Sequence, residues 1–472
     1  MGKTLEKFYL ICMRIFANTY FTPEKIMQIL IASFFFFLPW QTIWIIQEQF
    51  LNESKWQYGT LGFFATEILL WGSIFAFITY FVKEKKLKTG TLKTKFTFSK
   101  DRIFLLWTVF FLLYIYSSVM WSIDRNVAQQ QSFHIMEAVL MFLILYLVPF
   151  DSKKLVKYFI FGATLQSILG IYQFLTQSTF VYKWLGLVLH PVLEAGTSVI
   201  VGDNIGRVMR AYGAFSHPNV FGGYLFVSIT LTTFLFLKEP AKNTFQKLFQ
   251  ASVLGLQIVT LFFTFSRSAW IATSLFFLYI FISSFKNKFV DTPVIAIQNR
   301  VWEKQFLRHL SFYFVVLFTF CTVAYWPLVY TRVAHQSSHE IQSTEERTHG
   351  YKEAFQIWKT SPWVGVGAGN YTLAVYKMNP NQAGYLYQPV HSVPLLFLTE
   401  FGVIGCVFLF GVMRSFWKFA LQNRAQKYSI LLFVALLILF SLFDHYLYSS
   451  YFGLILTVVY LSLIFRFLLH RN

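Results

Sequence analysis

Residues 219–237 read Asn219-Val-Phe-Gly-Gly-Tyr-Leu-Phe-Val-Ser-Ile-Thr-Leu-Thr-Thr-Phe-Leu-Phe-Leu237, without one charged side chain. At ~1.5 Å of rise per residue, a helix of that length covers the ~30 Å hydrocarbon core of a bilayer. Apolar runs of about 18 to 22 residues recur along the chain, separated by short basic loops. They explain a composition that is 56% hydrophobic, 21% aromatic and only 13% charged over 472 residues, where soluble domains carry roughly 25% charged residues. The mean hydropathy is +0.53. These values exclude an ordinary soluble enzyme and predict an all-α, polytopic integral membrane protein.

Spans are expected near 26–46, 61–82, 103–121, 132–149, 155–175, 219–237, 248–265, 268–285, 310–330, 392–413, 428–443 and 449–469, about 12 in all. The chain divides accordingly. Residues 1–25 form a cytoplasmic N-terminal segment and 26–330 carry helices 1–9. Residues 331–391 form one large extracytoplasmic loop between helices 9 and 10, and 392–472 carry helices 10–12 and the C-terminus. Within the first segment, Lys3, Lys7 and Arg14 among apolar residues predict an interfacial helix over 3–20. No short apolar core with a small-residue cleavage site precedes Ile26, so insertion is expected to rest on uncleaved helices.

The formal charge of +19 has a topogenic explanation, and no nucleic-acid partner is expected. Of the 40 Lys and Arg, 29 fall on one side of this topology and 11 on the other, which makes the rich side, with both termini, cytoplasmic. Cys12, Cys321 and Cys406 are odd in number and lie in or beside apolar segments, so they offer neither a disulfide framework nor a metal cluster. The two long loops, 176–218 and 331–391, then face outward. In the second, Ser343 and Glu346 have capping-box spacing, and Arg347, Tyr351, Phe355 and Trp358 follow on one helical face expected to dock on the membrane domain. Pro362 and Gly365, Gly367 and Gly369 end that helix in turns. No strand alternation is evident.

The outward surface is poor in cations, so Arg207, Arg210, Arg267 and Arg347 stand out. A single arginine at a span end serves as a snorkelling anchor, whereas several converging would suit a phosphate or diphosphate, because the guanidinium fork binds its oxygens bidentately. His391 precedes the tenth span, and Asp444 lies beside His445 in the outward turn between the last two. A neutral imidazole can accept a proton from a hydroxyl while a carboxylate orients it; a hydrogen-bonded interface histidine is the alternative. Gly365 to Gly369 lacks the Lys-Ser/Thr of a P-loop and reads as a turn. His335 and His339 have zinc-pair spacing but no third ligand at helical spacing. Glu67, Glu137 and Glu400 lie within spans and mark either an ion path or packing-level hydrogen bonds. Tyr371, Tyr376, Tyr385 and Tyr387 suit either stacking on sugar rings or packing.

Four segments together resemble the O-antigen ligase/polymerase family of bacterial membrane glycosyltransferases. Arg210-Ala-Tyr-Gly213-Ala-Phe-Ser-His217-Pro218-Asn219 is similar to that family's Arg-x-x-Gly-x-Phe-x-x-Pro-Asn, and Ser266-Arg267-Ser to its Ser-Arg-Gly/Ser. Glu346-Arg347, leading through Ala354 and Trp358 to Ser361-Pro362-Trp363-x-Gly365-x-Gly367-x-Gly369-Asn370, resembles the arginine helix and glycine turn of its large periplasmic loop. His391-Ser392, with Leu398, Glu400, Phe401, Gly402, Ile404 and Gly405, resembles its His-Asn and the Glu-x-Gly-x-x-Gly beyond. Ser392 stands where asparagine is common.

The resemblance implies a multi-pass protein of the bacterial cytoplasmic (inner) membrane, acting in cell-surface polysaccharide or lipopolysaccharide synthesis. It would transfer a glycan from a polyprenyl-diphosphate (undecaprenyl diphosphate) carrier to a hydroxyl of a glycan, lipid or protein acceptor on the extracytoplasmic face. No metal or cofactor is implied. Arg267 and Arg347, with Arg210 and Arg207 less directly, would hold the diphosphate, His391 would be the general base, and Asp444 would orient a partner. A secondary transporter, expected to carry internal repeats, and a polysaccharide-export partner are the rival readings.

Overall fold

The computed structural model describes residues 22–87, 101–148, 150–194, 196–202, 206–285, 301–334, 338–420 and 427–469. The expected interfacial helix, Cys12 and His335 lie outside them. The chain runs through α1 (Pro23–Phe37), β1 (Ile43–Gln47), β2 (Phe50–Leu51), β3 (Ser54–Lys55), β4 (Leu61–Phe64), α2 (Ala65–Leu87), α3 (Asp101–Ser117), α4 (Arg125–Leu147) and α5 (Ser152–Thr176). It continues with β5 (Val199–Gly202), β6 (Gly206–Met209), α6 (Pro218–Lys238), α7 (Thr244–Phe263), α8 (Arg267–Ser283), α9 (Val301–Ala324), α10 (Trp326–Ala334), α11 (Ser338–Thr360) and α12 (Tyr371–Met378). The last elements are α13 (Val393–Ala420), α14 (Lys427–Phe443), the single turn α15 (Tyr446–Ser449) and α16 (Tyr451–Leu469).

The protein is mostly helical. Among the described residues, eight helices are long and apolar enough to cross a membrane: α2 to α7, α9 and α13. Shorter apolar helices lie in α8, α14 and α16. Side-chain caps set several starts. Thr22 accepts the Lys25 N–H, Asp124 those of Asn126 and Val127, and Asp151 those of Lys153 and Lys154, each satisfying donors that a helix end leaves open. His217 caps α6 by accepting the Asn219 N–H, and Pro218 supplies the preset φ of a first helical residue. α6 is the central helix, with 94% of its apolar window buried inside the protein.

Strands occur where none was expected. The stretch 26–46 is not one helix: α1 stops at Phe37, Pro39 follows, and the β-branched and aromatic run Ile43-Trp44-Ile45-Ile46 pairs antiparallel with β4, Ile43 opposite Phe64. Proline cannot donate the helical bond, and such residues favour an extended chain. β2 pairs with β3, and β5 with β6, Val199 opposite Met209. The helix in the large loop also differs. It begins at Ser338, so Ser343 is interior to it. Its inner face carries Gly350, Ala354 and Ile357, the last two fully buried, while Tyr351 and Phe355 are exposed.

Apolar packing forms a large cluster around α1, α2, α5, α6, α7 and α16, and a smaller one where α11, α12 and the turn between them meet α3, α4 and α13. In the smaller cluster, Ala354, Ile357, Val366 and Tyr371 pack with Phe111, Ile115, Phe397 and Phe401. α13 is broken there. Gly402 has φ +62°, ψ −169°, and the turn 362–367 fills the gap: Val366 and Gly367 donate to the carbonyls of Thr399 and Glu400, while Val403 and Ile404 donate to those of Pro362 and Trp363. Gly365 and Gly402 have positive φ, and a Cβ on either would lie 2.3 Å from backbone, at Glu400 and Trp363 respectively.

Gly365→Ala and Gly402→Ala are therefore expected to cost more than the roughly 1–2 kcal/mol of a left-handed residue alone, and to lower the melting temperature and membrane abundance sharply. Gly206→Ala, with φ +71° but nothing within 4 Å, should show only the conformational cost. Thermal unfolding of the three detergent-purified variants compares them; equal losses would rule out the interlocked turn as the cause.

Candidate functional site

The site grows from two breaks in helices. At the first, between α7 and α8, Phe265 adopts a left-handed φ of +47°, leaving carbonyls that no helix satisfies. Three consecutive ones are taken from outside: Ala211 N–H donates to Phe263 (2.9 Å), Arg210 Nε to Thr264 (2.7 Å) and Arg332 Nε to Phe265 (3.2 Å). Arg267 opens α8 two residues later. The break thus gathers three guanidinium-bearing residues, two of them buried.

Arg210 also donates to Ser198 Oγ (2.7 Å) and to Asn219 Oδ1 (2.6 Å). Asn219 Nδ2 in turn donates to Asp444 Oδ2 (3.0 Å), whose other oxygen accepts the His445 N–H (2.9 Å). His391 Nδ1 sits 3.7 Å from Asp444 Oδ1, beyond hydrogen-bond range, and has no hydrogen-bond partner among the described residues. The His391 side chain is 27% exposed, so the imidazole is reachable from outside while its inner nitrogen faces the carboxylate. The His445 ring lies 5.2 Å away, edged by Tyr58.

The second break, in α13, fixes the other half. Glu400 accepts the N–H groups of Gly369 (2.7 Å) and Tyr371 (3.4 Å) and the Tyr448 hydroxyl. Gln131 donates to the Tyr448 carbonyl (2.8 Å). The short α15 turn, which follows Asp444 and His445, is thereby tied to α4, α13 and the glycine turn. Asn370 secures the same turn to the α3–α4 connection, accepting the Asp124 N–H (2.7 Å). Gly350 of α11 lies against Val390, one residue before His391. Arg347 stands on that inner face one turn earlier, half-buried, with Nε lacking a hydrogen-bond partner among the described residues.

The electrostatics follow from burial. His217 is pushed down to about 3 by burial, reinforced by the Arg210 charge and only partly opposed by Asp444. Burial lowers His445 to about 4 despite the Asp444 carboxylate. Burial alone would raise Asp444, but the imidazoles of His391, His445 and His217 together hold it well below the usual carboxylate range. At neutral pH the site therefore carries a carboxylate flanked by two neutral imidazoles. His391, Asp444 and His445 present ligand atoms within 4.8 Å of one another, close enough to hold a metal ion.

Of the residues expected from sequence, Arg210 reaches Asp444 through Asn219 and His391 stands beside Asp444, while Arg267 opens α8 at the first break and Arg347 lies on the face of α11 that carries Gly350. Sequence reasoning missed Arg332, His217 and Asn219 as members of one network, although Arg332 carries the signal that exposed Arg267, a cation closing an apolar stretch. Arg207 is drawn elsewhere, donating to the carbonyls of Val192 (2.8 Å) and Glu194 (3.1 Å) in the loop before β5. Of the tyrosines, Tyr371 and Tyr387 are buried in packing and Tyr385 is exposed.

Residues 252–410 match the family model described as O-antigen ligase. The motifs at Ser266, Glu346 and His391 fall inside that segment, and the resemblance read from them is borne out there. No curated protein matches the chain. The matched O-antigen ligase segment contains Arg267, Arg332, Arg347 and His391, while Arg210, Asn219 and Asp444 lie outside it and reach it through the bonds above.

The depressed imidazoles predict a pH dependence. His217 and His445 bind protons less readily folded than unfolded, so the unfolded state takes up more protons between about pH 6.5 and 4, and stability falls as pH drops through that window. Asp444, lowered in the fold, adds a further loss below about pH 4. Melting temperatures of purified protein should decline from pH 7 to 4.5. His217→Asn with His445→Asn should flatten that decline, and an unchanged slope would refute this assignment.

Proposed function

We propose that the protein is a membrane glycosyltransferase of O-antigen ligase type, transferring a glycan from a polyprenyl-diphosphate carrier to an acceptor hydroxyl on the extracytoplasmic face of the cytoplasmic membrane. The observation that carries the reading is the juxtaposition of a partly exposed imidazole with a buried carboxylate that Arg210 reaches through Asn219. The family match supports it. A transporter would have no need of a base beside arginines.

In this reaction His391 takes the proton of the acceptor hydroxyl as its oxygen bonds to the anomeric carbon. The bond from that carbon to the diphosphate oxygen breaks, and its electron pair leaves with the diphosphate, which gains charge. Arg267 and Arg347 stabilise that charge, which is worth more in the transition state than in bound substrate, and the open Nε of Arg347 suits a phosphate oxygen. Arg210 and Asn219 position Asp444, which stabilises the imidazolium. One base and no protein nucleophile make this a single displacement with inversion. The step as drawn uses no metal; both Asp444 oxygens accept N–H groups, and His445 Nδ1 lies 2.6 Å from Ser449 Oγ.

Purified protein in vesicles, given a lipid-diphosphate glycan and candidate acceptors, tests this. His391→Ala should lower transfer by about 10² to 10⁴-fold, and Arg267→Lys or Arg347→Lys should lower it strongly at matched abundance, since a point charge does not replace a fork. A chelator added at the start should leave the initial rate unchanged. Lysine variants of normal activity would remove the diphosphate assignment, an initial rate lost to chelator and restored by a divalent ion would show that transfer depends on a metal, and movement of intact substrate across vesicles without product would establish a transporter.

The face of the membrane rests on charge asymmetry. Reporter fusions should be active outside the cytoplasm at Ala368 and inside it after Leu87; the reverse result would invert the site.

A further inference from the structure

A second cluster of ionisable groups lies apart from the transfer chemistry, within the helices. Glu67 is the third residue of α2, where its Oε1 accepts the Phe64 N–H (2.8 Å) as the chain leaves β4. His134 and Glu137 stand three apart on α4 and so share a face. His134 Nε2 is 3.8 Å from Glu67 Oε1, too far for a hydrogen bond but close to the roughly 3.4 Å that separates two ligands across a tetrahedral ion with ~2.1 Å bonds. The three residues offer ligand atoms all within 4.8 Å of one another, and all are buried.

The donors that reach these carboxylates are neutral. Glu67 has the Phe64 N–H, and Glu137 has the Trp71 indole N–H at 2.6 Å on Oε1. Glu137 Oε2 is fully buried and has no partner among the described residues. Two carboxylates at this depth demand compensating positive charge, and the imidazole facing them is held by ring packing on Tyr451 (5.2 Å) instead of by a bond to either. One imidazole with two carboxylates is the donor set of a first-row divalent ion of the zinc or manganese kind, whereas Ca²⁺ and Mg²⁺ favour all-oxygen sites.

We propose that Glu67, His134 and Glu137 bind a structural divalent metal ion that ties the start of α2 to α4 beside Tyr451 of α16. The ion takes no part in transfer. It braces α2 against α4, whose Gln131 holds the α15 turn that follows Asp444. The inference stands independently of the transferase reading.

Full-length protein in detergent, treated at length with chelator and dialysed, is titrated with Zn²⁺ and then Mn²⁺ by calorimetry, with bound metal counted by elemental analysis and melting temperature followed. One ion per chain should bind and raise the melting temperature. Glu67→Gln, Glu137→Gln and His134→Gln should each weaken binding by at least about 100-fold, while His391→Ala keeps it. X-ray absorption of the bound Zn²⁺ decides the matter without variants that must fold: one imidazole with oxygen ligands supports this site, and two imidazoles would assign the ion to His391 and His445 instead. Absence of saturable binding, or binding that survives Glu67→Gln and Glu137→Gln, overturns the proposal and leaves a proton shared between the carboxylates as the compensating charge.

Discussion

Backbone hydrogen bonding at depth is the constraint from which this architecture follows. An apolar helix can be interrupted only if something else satisfies the released N–H and C=O groups. Here the interruption of α13 at Gly402 is satisfied by the turn at 362–367, which exchanges four main-chain bonds with it. That exchange draws the long segment before α13 into the helical body and forms the smaller apolar core. It also leaves the Glu400 carboxylate directed at Gly369, Tyr371 and Tyr448. The geometry of His391 and Asp444 is downstream of it.

The break between α7 and α8 obeys the same rule with different partners. Its carbonyls are met by one main-chain N–H and two guanidinium groups. A helix break in apolar surroundings thus becomes a reason to bury cations, and buried cations beside an accessible imidazole are what anionic chemistry requires. Arg210 shows how tightly the two purposes are joined: its bonds to Thr264, Ser198 and Asn219 make it a positioning residue more than a substrate ligand.

The helical, membrane-spanning character was legible because the length of an apolar run and the thickness of a bilayer are the same measurement. His391, Asp444, Arg267 and Arg347 were legible because a charged or titratable group at the end of an apolar run is costly and therefore conspicuous. The hairpins were not, since Ile43-Trp44-Ile45-Ile46 is as apolar as a span, and only Pro39 distinguishes them. The docking face of α11 was misread for a related reason. Aromatics were taken for its inner side, yet close approach is made by Gly350, Ala354 and Ile357, while Phe355 and Trp358 pack on each other outside (5.5 Å). The partnership of Asn219 and Asp444, 225 positions apart, follows from tertiary closure alone.

The α15 turn is only four residues long, yet Tyr448 on it is bound to Glu400, and Asp444 and His445 directly precede it. Loop, turn and base therefore move as one rigid lever. Over evolutionary time the consequence is an uneven tolerance for change. The exposed Tyr351 and Phe355 make none of these bonds and can change, whereas a single inserted residue between Pro362 and Tyr371 shifts the N–H donors of Glu400, and with them the seat of the α15 turn. Freedom to vary and a demand for fixed length are then allotted to neighbouring stretches of one segment.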